Sequence, residues 1–333
     1  MKPKKIGLVL AGGGGKGAYQ LGVWKFFKEI GLDEHIEVIS GTSVGALNAI
    51  LFSLENYENC EKIWKGKIKE KILLKNENLQ SIIDQITMLR SSEKISIKKY
   101  IKLFNNLKKD GLFSRDGLNN FIDQIKMLLS SEIIIKKCIE LFNNLKKDGL
   151  FSRDGLIDII NFIDIDKLKN CNKTIYATCT KVPSFEAKYF KLNNRNISDI
   201  KNILLATSAI PGVFKIEQID GEKYYDGGIV DNNPETPLNM EGCTHNIIVY
   251  LKNDVTDLPN NERIIISPSR DLGNIISGTL NFETSKISEL IALGYKDASK
   301  YRVTLERLFH PPKMPFIKFK KIKQQLTKGC FFI

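Results

Sequence analysis

The sequence predicts an α/β fold, a single domain over 1–333 built on a central, mostly parallel sheet with a long helical insertion. Three observations predict it. Twice, a short apolar run ends in a glycine-rich turn and leads into a helix-forming run: Ile6 to Ala11 before Gly12–Gly17, and Val38 to Ser40 before Gly41–Gly45. A buried strand that turns straight into a helix is the building unit of parallel sheets. Further short apolar runs return later, at Asn246 to Lys252 and Arg263 to Ser267. Between about 66 and 169 the chain instead reads as helical and lysine-rich, and it carries an internal duplication.

In chain order, Lys5 to Ala11 is the first strand. Its six-residue apolar part is too short for a secretory signal and runs into glycines and a lysine. Ala18 to Ile30 is a helix with Leu21, Trp24, Phe27 and Ile30 on one face, stopped by Gly31. The second strand, Ile36 to Ser40, enters Gly41-Thr42-Ser43-Val44-Gly45, and Ala46 to about Lys65 continues as helix. In the insertion, Leu103 to Leu118 recurs identically at Leu141 to Leu156, a tandem duplication of about 39 residues over 84–121 and 123–160. Ser114-Arg115-Asp116 and Ser152-Arg153-Asp154 read as helix caps within it. The core occupies about 5–65 and 170–300. Lys173 to Thr180 is a strand with Glu186 to Phe190 as its hairpin partner. Ile200 to Ser208 is a helix broken at Ala209 to Phe214, and a polar turn at Asp220 to Lys223 leads to Tyr224-Tyr225-Asp226-Gly227-Gly228. From Leu272 onward the chain reads as helical, ending in a basic tail over 310–333. That tail closes on Cys330-Phe331-Phe332-Ile333, which has the outline of a prenylation box but is read as ordinary tail.

Composition excludes several classes. No apolar run approaches the ~18 residues of a membrane span. Cys60, Cys138, Cys171, Cys179, Cys243 and Cys330 show neither C-x-x-C pairs nor partner histidines, so no metal site and no disulfide framework is expected, and a cytoplasmic location fits. The formal charge of +12, from 50 basic and 38 acidic residues, favours anionic partners. No basic motif interleaved with aromatics and no zinc finger points to nucleic acid; an anionic membrane surface and a lysine-rich solvated surface without such a partner both stay open.

Chemistry concentrates in the two turns. A serine at the apex of a tight strand-to-helix turn stands at a helix N-terminus, where backbone N–H groups favour negative charge, so Ser43 is a candidate nucleophile. The loop Gly12-Gly13-Gly14-Gly15-Lys16-Gly17 fails as a nucleotide P-loop, because Gly17 stands where Ser or Thr is needed. Gly12, Gly14 and Gly17 meet a dinucleotide fingerprint, but the second strand ends in Gly41-Thr42-Ser43 rather than in an acidic residue. As an oxyanion hole, the loop shares one task with Ser43. A serine nucleophile needs a base. His35 and His245 precede strands rather than leave them, and His310 lies in the tail. Asp226 ends an aromatic strand and is followed by two glycines that let the backbone bend close to another segment, so it is the better base; Asp231 is a weaker one that fits an Asx turn.

Four segments together resemble the patatin-like phospholipases. Gly12 to Gly17 is similar to that family's G-G-G-x-[RK]-G loop, and Gly41 to Gly45 to its G-x-S-x-G elbow. Ala206-Thr207-Ser208-Ala209-Ile210-Pro211-Gly212-Val213-Phe214 resembles its A-[TS]-x-A-x-P-x-x-F block, and Asp226-Gly227-Gly228 its D-G-[GA]. The resemblance implies a three-layer α/β/α sandwich and a Ser43–Asp226 dyad without histidine. It further implies an oxyanion hole from the Gly13, Gly14 and Gly15 backbone, with Val44 as a further donor, and Lys16 steadying the loop or meeting phosphate. The implied substrate is a phospholipid or other acyl-ester lipid, with no cofactor. The duplicated insertion departs from the family pattern.

Overall fold

In a computed structural model of the chain the described residues are 4–67, 154–210, 214–255, 260, 262–273, 278–279 and 282–309. Most of the duplicated insertion, Ser114-Arg115-Asp116, Ser152-Arg153, Pro211 to Val213, His310, Cys138 and the basic tail with Cys330 lie outside them. The strands are β1 (Ile6–Leu10), β2 (Ile36–Thr42), β3 (Thr174–Val182), β4 (Glu186–Lys191), β5 (Glu217–Ile219), β6 (Glu222–Asp226), β7 (His245–Val249) and β8 (Arg263–Ile266). The helices are α1 (Ala18–Glu29), α2 (Val44–Leu54), α3 (Tyr57–Lys62), α4 (Asp154–Phe162), α5 (Ile197–Thr207), α6 (Thr236–Met240), α7 (Thr284–Ser299) and α8 (Arg302–Phe309).

The sheet runs β5-β6-β3-β2-β1-β7-β8, with β4 also on β3. The five strands from β3 to β8 along this order are mutually parallel, and β4, β5 and β6 join antiparallel. Successive residues of β1 face opposite layers, as a pleated strand requires. Leu8 and Leu10 enter the large core shared with Trp24, Phe27, Ile50 and Leu290, whereas Val9 enters a smaller cluster with Val38, Ile248 and Leu238 of α6. The three expected layers are present but unequal: α1, α2, α5 and α7 cover one face, and the short α6 covers part of the other.

Three local expectations change. The helix after the elbow starts at Val44 and stops at Leu54 instead of running to Lys65. Asn56 then accepts the Asn59 N–H at 2.8 Å and caps the separate α3, the local bond that makes asparagine a better cap than helix interior residue. Residues 271–273 are irregular, with Leu272 buried, so the chain is not helical from Leu272 onward; the long helix after them is α7, from Thr284. Finally, Leu156, Ile159, Ile160, Ile163, Ile165 and Leu168, which lie in the span read as insertion, are buried in the main core.

Candidate active site

The sheet topology brings two chain ends together. β4 pairs with Tyr176 to Lys181 along one edge of β3. On the other edge β2 pairs with Thr174 to Thr178, and β6, running the opposite way, pairs with Cys179 to Val182. β2 and β6 therefore abut end to end on β3, each with its C-terminus at the seam. Thr42 pairs with Thr178 and Asp226 with Cys179, the next residue. Ser43 follows Thr42 directly, so a serine and a carboxylate 183 positions apart in sequence share one spot. The spot lies where α/β folds place ligand sites, at the C-terminal ends of parallel strands.

Ser43 has φ 54° and ψ −124°, a conformation rarely taken by a residue with a side chain. The glycines of the pentapeptide permit it by letting backbones approach. A Cβ on Gly41 would lie 2.3 Å from the Gly45 carbonyl carbon, and one on Gly45 would lie 2.1 Å from the Leu10 carbonyl oxygen. Ser43 is then the N-cap of α2 and, though buried, carries its hydroxyl toward Asp226.

Asp226 is also buried. Burial raises its carboxyl to about 6, while hydrogen bonds from the Gly228 N–H and the Ser43 hydroxyl pull the value back down. The Gly228 N–H donates to Oδ1 at 2.7 Å, the Asp226 N–H donates to the Ala209 carbonyl at 3.0 Å, and Thr180 Oγ1 donates to the Asp226 carbonyl at 2.8 Å. The backbone on both sides of the carboxylate is thus fixed.

The glycine loop ends as a 3-10 turn, Gly14–Gly17, continuous with α1, and no side chain caps it at Gly13. The first-turn N–H groups of such a turn have no partner within it. Gly14 has φ 55°, and a Cβ there would lie 2.2 Å from the Thr279 carbonyl oxygen, so only glycine fits. Lys16 leans on the segment around Gly278 and Asp271; burial lowers its pKa and Asp271 opposes the shift.

Several side chains that hold this arrangement carry no chemical signature in sequence. Gln20 Nε2 donates to the Ala11 carbonyl at 2.8 Å, and Asn48 Nδ2 donates to the Gly17 carbonyl at 3.1 Å and to Gln20 Oε1 at 2.9 Å. Trp64 Nε1 donates to Asn48 Oδ1 at 3.0 Å, closing a buried network that grips both ends of the glycine loop. Asn232 binds Gly12 from the other side, its Nδ2 donating to the Gly12 carbonyl and its own carbonyl accepting the Gly12 N–H. Thr207 Oγ1 accepts the Ser43 N–H at 2.9 Å. The one available sequence signal for Thr207 is its place in the Ala206 to Phe214 block.

The alternatives lie elsewhere. His35 stacks on Phe309 at the N-terminal end of β2, and His245 begins β7, so both occupy the end of the sheet opposite Ser43. Asp231 accepts from Tyr189 Oη at 2.7 Å and from the Asn233 N–H at 3.2 Å, an Asx turn. Where a dinucleotide site would end β2 in a carboxylate, Thr42 donates its hydroxyl to the Asp231 carbonyl. Among the described residues no group of three His, Cys, Asp or Glu side chains could hold a metal ion, and no helix is long and apolar enough to cross a membrane.

Over 50 residues, 15% of this chain and 3% of the relative, the chain is 46% identical to the lysophospholipase nte1 of Aspergillus terreus. Among solved structures it is similar to VipD from Legionella pneumophila, at 17% identity and a TM-score of 0.49 over 91% of this chain and 67% of that one. It is also similar to the type III effector protein ExoU of Pseudomonas aeruginosa, at 18% identity and a TM-score of 0.39 over 91% of this chain and 54% of that one. The chain thus matches about half the length of ExoU and a small fraction of the Aspergillus protein. The family model for patatin-like phospholipases matches residues 8–239, from β1 through the glycine loop, the Ser43 elbow and Asp226 to α6. By that match over most of its length, the chain belongs to the patatin-like phospholipase family.

Proposed function

We propose that the chain is a lipid acyl hydrolase of the phospholipase A or lysophospholipase type, working through an acyl-serine intermediate on a Ser43–Asp226 dyad. The observation that carries this reading is the seam on β3, where β2 and β6 meet and the Ser43 hydroxyl faces a buried carboxylate beside an uncapped glycine turn.

The Asp226 carboxylate takes the Ser43 proton as the oxygen attacks an ester carbonyl. The negative charge that develops on the carbonyl oxygen is held by backbone N–H groups of Gly13, Gly14 and Gly15, with the Val44 N–H at the start of α2 as a further donor. As the intermediate collapses, the C–O bond to the leaving alcohol breaks and Asp226 returns its proton to that alcohol. Water then gives its proton to Asp226 while attacking the acyl-Ser43 ester. The fatty acid leaves and the proton returns to Ser43. The likeness to a lysophospholipase supports a lysolipid or phospholipid ester as substrate. The net charge of +12 supports adsorption to an anionic bilayer, worth ~1 kcal/mol for each well-placed Lys or Arg.

The test is fatty-acid release by the purified full chain from phosphatidylcholine and lysophosphatidylcholine vesicles, with and without phosphatidylserine, at low and high salt. Ser43→Ala and Asp226→Asn are each expected to lower turnover by about 10³-fold or more without unfolding, and phosphatidylserine to raise it at low salt only. Wild-type turnover in folded Ser43→Ala would exclude the dyad.

A further inference from the structure

Thr207 ends α5 within the Ala206 to Phe214 block, and its side chain is fully buried. It faces an amide that neither regular element satisfies. The β2 ladder stops at Thr42, and the α2 hydrogen bonds begin with the Ser43 carbonyl, which accepts from the Ala46 and Leu47 N–H groups at 3.0 and 3.2 Å. The Ser43 N–H falls between the two, in a buried place where an unpaired donor is costly. Thr207 Oγ1 accepts it at 2.9 Å and donates its own proton to the Thr178 carbonyl. A hydroxyl can accept and donate at once, which is what these two groups demand.

We propose that Thr207 is a positioning residue for the nucleophile: its hydroxyl, bridging the Ser43 N–H and the Thr178 carbonyl, fixes the elbow to the seam on β3 and keeps the Ser43 amide out of the oxyanion hole. This rests on the reading of Ser43 as nucleophile. Thr178 is the last β3 residue paired with β2, and Cys179 is the first paired with β6 through Asp226. A bond from the elbow to Thr178 therefore sets Ser43 against the strand position that also sets Asp226. Two residues on, the Ala209 carbonyl accepts the Asp226 N–H at 3.0 Å, so the end of α5 holds both members of the pair by separate bonds. With the Ser43 amide engaged, the oxyanion falls to N–H groups of the glycine turn and of Val44.

The competing role for a buried threonine is simple filling of space. Thr207→Val keeps the shape and loses the hydroxyl; Thr207→Ser keeps the hydroxyl and loses the methyl. Two readouts follow the nucleophile: the rate at which a fluorophosphonate labels Ser43, and kcat and KM on a short, soluble p-nitrophenyl ester. Thr207→Val is expected to lower the labelling rate and kcat by about 10–100-fold with KM within about 3-fold, since misplacing a reacting group by about 1 Å costs that much. Thr207→Ser is expected to stay within about 3-fold of wild type. Folded Thr207→Val labelled at the wild-type rate overturns the proposal, as does an equal loss in both variants, which indicates packing alone. The wild-type protein gives a measurement that needs neither variant to fold. By NMR hydrogen exchange, the Ser43 amide should be protected like central sheet amides such as that of Val9, and rapid exchange there also overturns the proposal. Ser43→Ala, run in parallel, separates two failures. If it still hydrolyses the ester, the nucleophile reading falls and Thr207 with it. If it is inert while Thr207→Val behaves as wild type, the Thr207 assignment alone falls.

Discussion

At the scale of single residues the site stands on two costs held in place by their surroundings. Ser43 occupies a backbone region that costs about 1–3 kcal/mol, and Asp226 keeps a carboxyl away from water. Burial is the leading cause of the Asp226 value of about 6, and this fixes the pH behaviour. A base works when deprotonated, so the rate of fluorophosphonate labelling should rise with pH along a single titration centred near 6 and level off above about 7. A rate that stays flat from pH 5 to 8 would contradict Asp226 as the base. Stability moves the other way. The folded value lies above the unfolded one of about 4, so between these limits the fold binds more protons than the unfolded chain does. Stability from this group is therefore greatest below pH 4 and is lost as pH rises through 6. Asp226→Asn carries no charge to bury, so it should gain stability over wild type at pH 8, on the order of 3 kcal/mol, and little at pH 4. Urea unfolding at both pH values reads the difference. Ser43 and Asp226 could be picked out as candidates in the sequence, Ser43 by the glycines two residues to either side and Asp226 by the two that follow it. Thr207, Asn232, Gln20 and Asn48 could not. They are neutral polar residues whose partners lie far along the chain or on backbone, and nothing in their spacing announces a bond to a carbonyl.

At the scale of elements, close approach of backbones organises the core. The sheet strands were legible as short apolar runs with glycine exits, since strands buried on both faces show little alternation. Where β6 ends relative to β2 was not, because that depends on β3 being longer than β2 and offering its free edge to a strand from the other direction. The break at Asn56 was hidden by the apolar stretch before it. The helix pair α1 and α7 was hidden too, since its contact depends on glycines that read as ordinary helix interruptions. A Cβ on Gly22 would lie 2.0 Å from the Ile291 carbonyl oxygen, and one on Gly294 would lie 2.0 Å from the Tyr19 carbonyl oxygen. The two helices therefore cross with backbones in contact. Gly22→Ala gains about 1 kcal/mol of helix propensity in isolation, but the clash is with backbone, which cannot step aside as a side chain can. Gly22→Ala and Gly294→Ala should each destabilise by about 1–3 kcal/mol, seen as a lower urea midpoint at unchanged slope. An unchanged or higher midpoint would show that propensity outweighs the crossing.

At the scale of the molecule, the family match and the folding unit have different ends. The match stops at residue 239, yet β7, β8, α7 and α8 follow it. β1, which leads into the glycine turn, is a central strand only because β7 pairs with it from Ile6 to Leu10. α1, which leaves that turn, buries its outer face against Ile287, Leu290 and Ile291 of α7. Asp297 of α7 is buried and adds a polar tie, accepting from the Ser269 N–H at 2.9 Å, from Tyr19 Oη at 3.3 Å and from Lys300 Nζ at 2.6 Å. A chain cut after residue 239 would leave β1 as an exposed apolar edge, open to pairing with other chains, and would strip α1 of its partner. Every signature residue of the family would remain, Ser43 and Asp226 included. Signature and stability thus make opposite forecasts for the cut chain, and stability should win, because the glycine turn is strung between β1 and α1 and both lose their partners. The cut chain is expected to be insoluble or, if recovered, to lack a cooperative unfolding transition and to resist fluorophosphonate labelling. A soluble chain of residues 1–239 that unfolds cooperatively and labels at Ser43 would show that the C-terminal strands and helices are an addition to the active unit and not part of it.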